Sequence, residues 1–522
     1  MNNKVFKLLT LCLLVCVLLS ACSGGNNSGS KQENNNGGAG TEGASEGEGK
    51  TEEEEVTLKF YFGGDKKSAT DEVWSEVSKY VKEKGLNVKF EISTIPFGDY
   101  KQKMIVMSAS GDDWDANFDG DWLAYQQMAA KGAYMPLNDL LPEHAPNLYK
   151  VLQEQGTLKA ATVGGNIVAL PWSMKMNARP FVRWRSDLTE KAGLTQAKDS
   201  IKTVEELDAF AQKLKQAYPD TKIGFPANNT VLLSFFTLRD ELYDLRSHGL
   251  HVSLQDSTYK VTPIEQTQTY RDAVTFAKKW FDSGIINKDV LVDKQDPGSL
   301  YMNGKILLAN TSHEWANANQ PFADATWKNE TSMLYPDKKY ANRTALANVF
   351  AINKNSKHAD RVLRFLDMLE TDAKLYDLVQ YGIEGKNYVL DGKTANYPQG
   401  MDTSTSNYME WGGQWALWKP QFMRPNSTYS EGFWVREAEF ASESQNVNSP
   451  LDGLFITEDA IKTEAAGVDQ VYDEFGRSLE VGAVKNVDEE INKYIEKRKK
   501  AGIDKVAAEA QKQLNAFLEA SK

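Results

Sequence analysis

The chain has 522 residues, 41% hydrophobic and 25% charged, with a formal charge of −12 and only 3 cysteines. That length allows about two or three domains with a large core, and the acidic balance argues against nucleic acid as a partner. Cys12, Cys16 and Cys22 all precede residue 56, so the body of the chain has neither a disulfide nor a thiol nucleophile.

Lys4 and Lys7 precede an apolar run from Leu8 to Leu19, too short to span a bilayer and flanked like a secretory signal. Leu19-Ser20-Ala21-Cys22 resembles the bacterial lipobox, whose cysteine is acylated after cleavage. Residues 1–21 therefore read as a signal peptide and Cys22 as the lipidation site. From Ser23 to Glu55 the chain is Gly, Ser, Asn and Glu with almost no apolar side chain, a composition that cannot bury enough surface to fold. Residues 22–55 read as a lipidated tether with a root-mean-square reach of about 30 Å. The expected location is the extracytoplasmic face of the cell membrane, on a Gram-positive surface, with the membrane engaged through the lipid alone.

The body opens with an alternating strand from Val56 to Phe62, ended by Gly63-Gly64-Asp65. A helix carrying Val73, Trp74, Val77 and Val81 follows, then a strand from Leu86 to Ile92 and a helix from Tyr100 to Ala109. A brief strand, Ala116 to Phe118, ends at Asp119-Gly120-Asp121 and leads into a helix from Trp122 to Lys131. This β-α-β-α-β-α order implies a parallel sheet with ligand sites beyond the carboxyl ends of its strands, where Gly64, Asp65, Asp121 and Trp122 fall. Gly164-Gly165 marks a hairpin, and Leu170-Pro171-Trp172-Ser173 a crossing to a second lobe. Thr203-Val-Glu-Glu206 and Thr262-Pro-Ile-Glu265 read as capping boxes of two helices. Lys305 to Ala309 reads as a strand returning to the first lobe, Leu346 to Ile352 as a further strand, and Asp488 to Lys500 and Asp504 to Ala520 as closing helices. The resulting organisation is an α/β chain of two lobes. Lobe 1 takes 56–170 plus about 306–400. Lobe 2 takes 171–305 plus part of 401–522. Two crossings permit a hinge around a cleft.

The lipobox, the tether and the β-α-β start resemble the extracellular solute-binding proteins of bacterial ABC importers, in the carbohydrate-oriented family 1. Gly304-Lys305-Ile306, the segment Phe350 to His358, Tyr381-Gly-Ile-Glu-Gly-Lys386 and Glu410-Trp-Gly-Gly-Gln-Trp415 fit the same pattern. The runs from Ile461 to Gly482 and from Gly502 to Val506 resemble a C-terminal domain of unknown function found in some of these lipoproteins, giving 401–522 as a family-specific region. The resemblance implies a periplasmic-binding-protein-like fold, each lobe a sheet flanked by helices, that delivers a captured solute to ABC permease subunits as a monomer. No calcium-loop run of the D-x-N-G-x-G-K kind is found in the second lobe.

Asp113-Trp-Asp115-Ala-Asn117-Phe-Asp119-Gly120 lacks the glycine and glutamate of an EF-hand, and a strand ending in a Gly-Asp turn explains it better. His248 and His251 read as ordinary surface histidines. Neither metal nor cofactor is expected, and no phosphate loop or nucleophile elbow occurs. The positive signal is the set of 12 tryptophans. Sugar rings present flat C–H faces to aromatic rings and hydroxyls to Asp, Glu, Asn, Gln and Arg. Trp122, Trp172, Trp315, Trp411 and Trp415, with Gly64, Asp65, Asp121, Glu314 and Glu384, are therefore the candidate ligand contacts for a sugar or oligosaccharide. Two rivals stand: a peptide or other polar solute in the same architecture, and a surface glycoside hydrolase. No catalytic residue is assigned.

Overall fold

The computed structural model describes residues 53–174, 177–194, 197, 199–224, 231–293, 297–313, 316, 322–324, 326–342, 344–402 and 405–520. The signal segment, Cys22 and the tether up to residue 52 lie outside them, as do the candidate contacts Glu314 and Trp315. No described helix is long and apolar enough to cross a membrane.

The alternation at the start of the body is realised as the strand Val56–Gly63, with Leu58, Phe60 and Phe62 fully buried. It pairs in parallel with Val88–Ile95 on one side and Ala116–Asp119 on the other. The helix Thr70–Glu83 turns Val73, Trp74, Val77 and Val81 onto this sheet, the face its apolar spacing predicts. The five-stranded sheet is completed antiparallel by Val349–Ile352 and then Leu170–Pro171, which arrive from much later in the chain or from the crossing. Helices Ala359–Thr371 and Ala373–Tyr381 and the loop residues Tyr408, Met409, Trp411 and Leu417 join the same core.

A second sheet is antiparallel: Pro180–Arg185 lies between Leu308–Ser312 and Asn329–Met333. Val182 and Trp184 face a core filled by helices Val204–Ala217, Val231–Arg239 and Gln268–Asp282. The strand read at Lys305 to Ala309 as a return to the first lobe instead starts at Leu308 and extends this second sheet. A short apolar strand carries no mark of its partner, and the chain rejoins the first sheet only at Val349–Ile352.

The capping box at Thr203 and Glu206 forms in full. The one expected at Thr262 and Glu265 does not. Thr262–Pro263 pairs with the strand Leu250–Ser253, and Thr267 caps the helix. Glu265 is needed elsewhere: its buried carboxylate meets the Arg498 guanidinium at 3.2 Å. Within the basic run Lys497-Arg498-Lys499-Lys500, Arg498 points inward and is buried. The helices Lys462–Val471, Val487–Ala501 and Ile503–Ala520 pack on Leu250, Val252, Val261, Tyr270 and Val274. The segment Tyr472–Gly476 is a π-helical turn. A Cβ on Gly476 would lie 2.4 Å from the Tyr472 ring, so glycine is what lets this turn close.

Candidate functional site

A cleft of ≈ 1850 Å³ runs between the two sheets. One wall belongs to the first core. There the strand end at Gly63 and Gly64 meets the backbone of the 411–415 loop so closely that a Cβ on Gly412 would sit 2.2 Å from the Gly63 carbonyl oxygen. This contact seats Trp415 flat on Phe97, centroids 5.6 Å apart and planes 13° apart. Trp418 lies beside Trp172 at 6.1 Å and 22°, and Trp434 and Tyr429 extend the aromatic group. Tyr376, Gln380 and Tyr381, from the end of the helix Ala373–Tyr381, and Gln414 add rings and amides to the cleft surface.

Glu410 also lines this wall and sits at φ 61°, the left-handed region that a non-glycine residue occupies at a cost of about 1–3 kcal/mol. Its carboxylate accepts from the Thr428 hydroxyl at 3.1 Å. Arg246 and His248, on the opposite wall, share the same backbone region at φ 51° and 48°. Strained non-glycine residues thus recur around the cleft.

The opposite wall is charged. The hairpin Leu242–Asp244 with Leu250–Ser253 presents Arg246 and His248, and Tyr472, Glu480, Tyr494 and Arg498 come from the C-terminal helices. The Glu480 carboxyl is pushed up to about 7 by burial, against which the hydrogen bond from the Tyr472 hydroxyl at 3.0 Å acts only in part. Burial alone would lower the pKa of His248, but its hydrogen bond to Asp469 and the charges of Asp469 and Glu458 prevail and raise it. The expectation of two ordinary surface histidines does not hold: His251 is buried beside the Gly249 carbonyl, and the His248 ring is only 6% exposed.

The candidate contacts read from the sequence are dispersed. Trp415 lines the cleft. Asp121 pairs with Arg246 across it. Trp122 is 48% exposed, donates its indole N–H to the Ala347 carbonyl at 2.7 Å and packs on Phe97 beside Trp415. Trp172 is buried behind Trp418 as its support. Trp411 is corrected to a core residue: its ring meets Phe62 and Trp74 edge-on and its N–H donates to the Val379 carbonyl at 3.1 Å. A glycine-rich loop does not keep a ring out of the core when the loop itself is pressed onto the sheet. Gly64 serves the backbone contact with Gly412, while Asp65 and Glu384 are exposed and away from the cleft lining. Trp418, Tyr381, Glu410 and Arg246 were not among the assigned contacts, although Trp418 belongs to the loop tryptophans and Tyr381 and Glu410 open the two quoted motifs; Arg246 carried no signal in the sequence.

Among the described residues no group of three or more His, Cys, Asp or Glu is placed to hold a metal ion. The carboxylates of the 113–120 segment are committed within the protein. Asp115 accepts from the Lys59 N–H at 2.9 Å and the Ser356 hydroxyl at 2.6 Å. Asp119 accepts from the N–H groups of Gly120 and Ala124 and from the Tyr134 hydroxyl, and burial raises its pKa to about 6.

Comparison with known proteins matches residues 64–374 to the model of the bacterial extracellular solute-binding proteins and residues 450–519 to a domain of unknown function, DUF3502. A carbohydrate ABC transporter substrate-binding protein of Streptococcus pneumoniae is 25% identical over 499 residues, 89% of this chain and 91% of that protein. The Bacillus subtilis polygalacturonan/rhamnogalacturonan-binding protein YtcQ is 25% identical over 49% of this chain and 52% of its own. Among solved structures, the N-glycan transport solute-binding protein NgtS of S. pneumoniae superposes with TM-score 0.75 at 24% identity, covering 90% of this chain and all of that one. The S. pneumoniae protein FusA in complex with kestose gives 0.62 at 18%, covering 89% of this chain and 100% of its own. The neighbours share the two-lobed fold. The first family model spans more than half of the sequence, and the chain belongs to the bacterial extracellular solute-binding proteins.

Proposed function

We propose that this solute-binding protein captures an oligosaccharide in the interlobe cleft and hands it to an ABC permease. The observation that carries the reading is the cleft: ≈ 1850 Å³, with Trp415, Trp418, Tyr381 and Tyr429 on one wall and guanidinium and carboxylate groups on the other. That volume exceeds the range of about 300–1,000 Å³ usual for small-molecule pockets, which favours a chain of sugars over a single ring. Flat apolar rings with fixed polar groups suit the alternating C–H faces and hydroxyls of a glycan better than a peptide backbone. Relatives named for carbohydrate, polygalacturonan/rhamnogalacturonan and fructooligosaccharide ligands support the class.

Binding needs no covalent step. The ligand touches both walls only when the lobes are together, and this difference in affinity drives closure. The hinge lies at the crossings between the sheets. Acylation at Cys22 holds the monomer at the extracytoplasmic face of the membrane, a reading that rests on the lipobox and on a relative described as a lipoprotein.

Isothermal titration with Man5GlcNAc, kestose and an oligogalacturonide tests the ligand class. At least one should bind with 1:1 stoichiometry, reduce the radius of gyration in solution scattering and be recovered intact. Binding of a peptide library with no response to any glycan overturns the sugar reading, and multiple turnovers of reducing ends overturn the non-catalytic one. Mass spectrometry showing a free Cys22 thiol in the mature protein overturns the anchor.

A further inference from the structure

The C-terminal region matched by the domain of unknown function has no assigned role. It packs against the hairpin Leu242–Asp244 with Leu250–Ser253, whose connecting residues 245–249 carry Arg246 to the cleft. Inside that turn the Arg246 N–H donates to Asp244 Oδ1 at 2.7 Å, and the Leu250 N–H to the Ser247 carbonyl at 2.9 Å. Two non-glycine residues in the left-handed region within three positions, Arg246 and His248, make the turn unfavourable by itself. Such a conformation persists only where the surroundings over-determine it.

The surroundings that do so are C-terminal. The two ring nitrogens of His248 meet Asp469 Oδ1 at 2.8 Å and Glu458 Oε1 at 3.2 Å. The His248 carbonyl accepts from the Arg498 guanidinium, which is itself buried and fixed by the Tyr494 hydroxyl at 2.9 Å and Glu265 at 3.2 Å. Leu245 and Leu250 pack among Ile461, Val468 and Val506. On the far side of the turn, Arg246 pairs with Asp121, just past the strand Ala116–Asp119 of the first sheet. The Asp121 side chain is 6% exposed and Arg246 is 41% exposed. With its carboxylate side buried, the pair joins the two lobes at a defined place.

We infer that the C-terminal region is a clamp: Asp469, Glu458 and Arg498 are positioning residues that hold the 245–249 turn so that Arg246 reaches across the cleft to Asp121. The region thereby sets how far the lobes stand apart before any ligand arrives. This goes beyond the proposed ligand class and does not depend on it.

The test is made without ligand, so its failure is distinct from failure of the oligosaccharide reading. In the chain from residue 22 carrying Cys22→Ser, spin labels at Glu154→Cys and Lys213→Cys, both exposed and on helices of opposite lobes, report separation by double electron–electron resonance. Arg246→Met should shift the distance distribution outward. Glu458→Ala with Asp469→Ala, both more than half exposed, should shift it in the same direction, and adding Arg246→Met to that pair should shift it no further. A merely structural contribution would not show this non-additivity. An unchanged distribution in the Glu458/Asp469 variant, or a shift that adds to that of Arg246→Met, overturns the clamp. Should the double variant lose its cooperative melt, His248→Gln supplies the same comparison with the same two outcomes.

Discussion

The first-lobe wall of the cleft is aromatic and rests on an apolar core, whereas the wall opposite consists of charged side chains that hold one another and lean on the C-terminal helices. Trp415 and Trp418 are placed by packing: Phe97 and Trp172 lie behind them, and the close approach of Gly63 to Gly412 fixes their loop. Arg246 and His248 are placed by ion pairs and hydrogen bonds around a strained turn. The contrast teaches that one cleft can have one wall placed mainly by packing and another placed mainly by charge. Packing loses free energy when atoms are removed, while an ionic scaffold loses it when a partner's charge is left unmatched.

The most forceful way to break this contrast is to attack each wall's support. Arg498→Met leaves Glu265 buried without its partner and should lower stability by about 3–5 kcal/mol. Trp411→Ala opens a void behind the first wall and should cost about 3–5 kcal/mol as well. Denaturant unfolding measures both, and added salt should alter neither wall's packing term. Restoring a fit in the ionic case by Glu265→Gln with Arg498→Met should recover much of the loss, which no second substitution of charge could do for Trp411→Ala.

The next effect is on pH dependence. Glu480 has a folded pKa of about 7 against an ordinary value of 4.5, so the native state holds the proton more tightly than the unfolded chain. Its contribution is complete below pH 4.5 and is lost as pH rises through about 7, up to about 3 kcal/mol across that window. Melting temperature should therefore fall over this range in the parent, and Glu480→Gln should flatten that part of the profile. A slope unchanged by the substitution would place the titrating group elsewhere.

The smallest effect separates binding from folding on the aromatic wall. Trp415 is half-buried, so Trp415→Ala should cost affinity for a bound glycan by about 1–2 kcal/mol, while the unliganded melt moves little compared with Trp411→Ala. Calorimetry and thermal melts on the same samples check it. Equal affinity in parent and variant would remove Trp415 from the glycan contacts.

Much of this was legible in the chain itself. Period-two burial in Val56–Gly63, the apolar face of Thr70–Glu83 and the capping box at Thr203 are local patterns, and local physics is enough to realise them. The parallel pairing of the first three strands followed from the alternation of strands and helices, because each crossover returns the chain in the same direction. The ordered motifs also pointed to the family. Three things needed the tertiary structure. Leu308–Ser312 joined the second sheet because register and partner depend on long-range packing that a five-residue strand does not encode. Glu265 left its expected capping role because a buried guanidinium more than 200 positions along the chain required a counter-charge. Trp411 and Trp415, four residues apart in one loop, went to core and cleft because the docking of Gly412 on Gly63 decides which ring turns inward. Periodicity and capping act over a few residues, so the sequence by itself determined the elements and their order; counter-charges and ring placement depend on which surfaces finally meet, so only the folded chain decided the walls of the cleft.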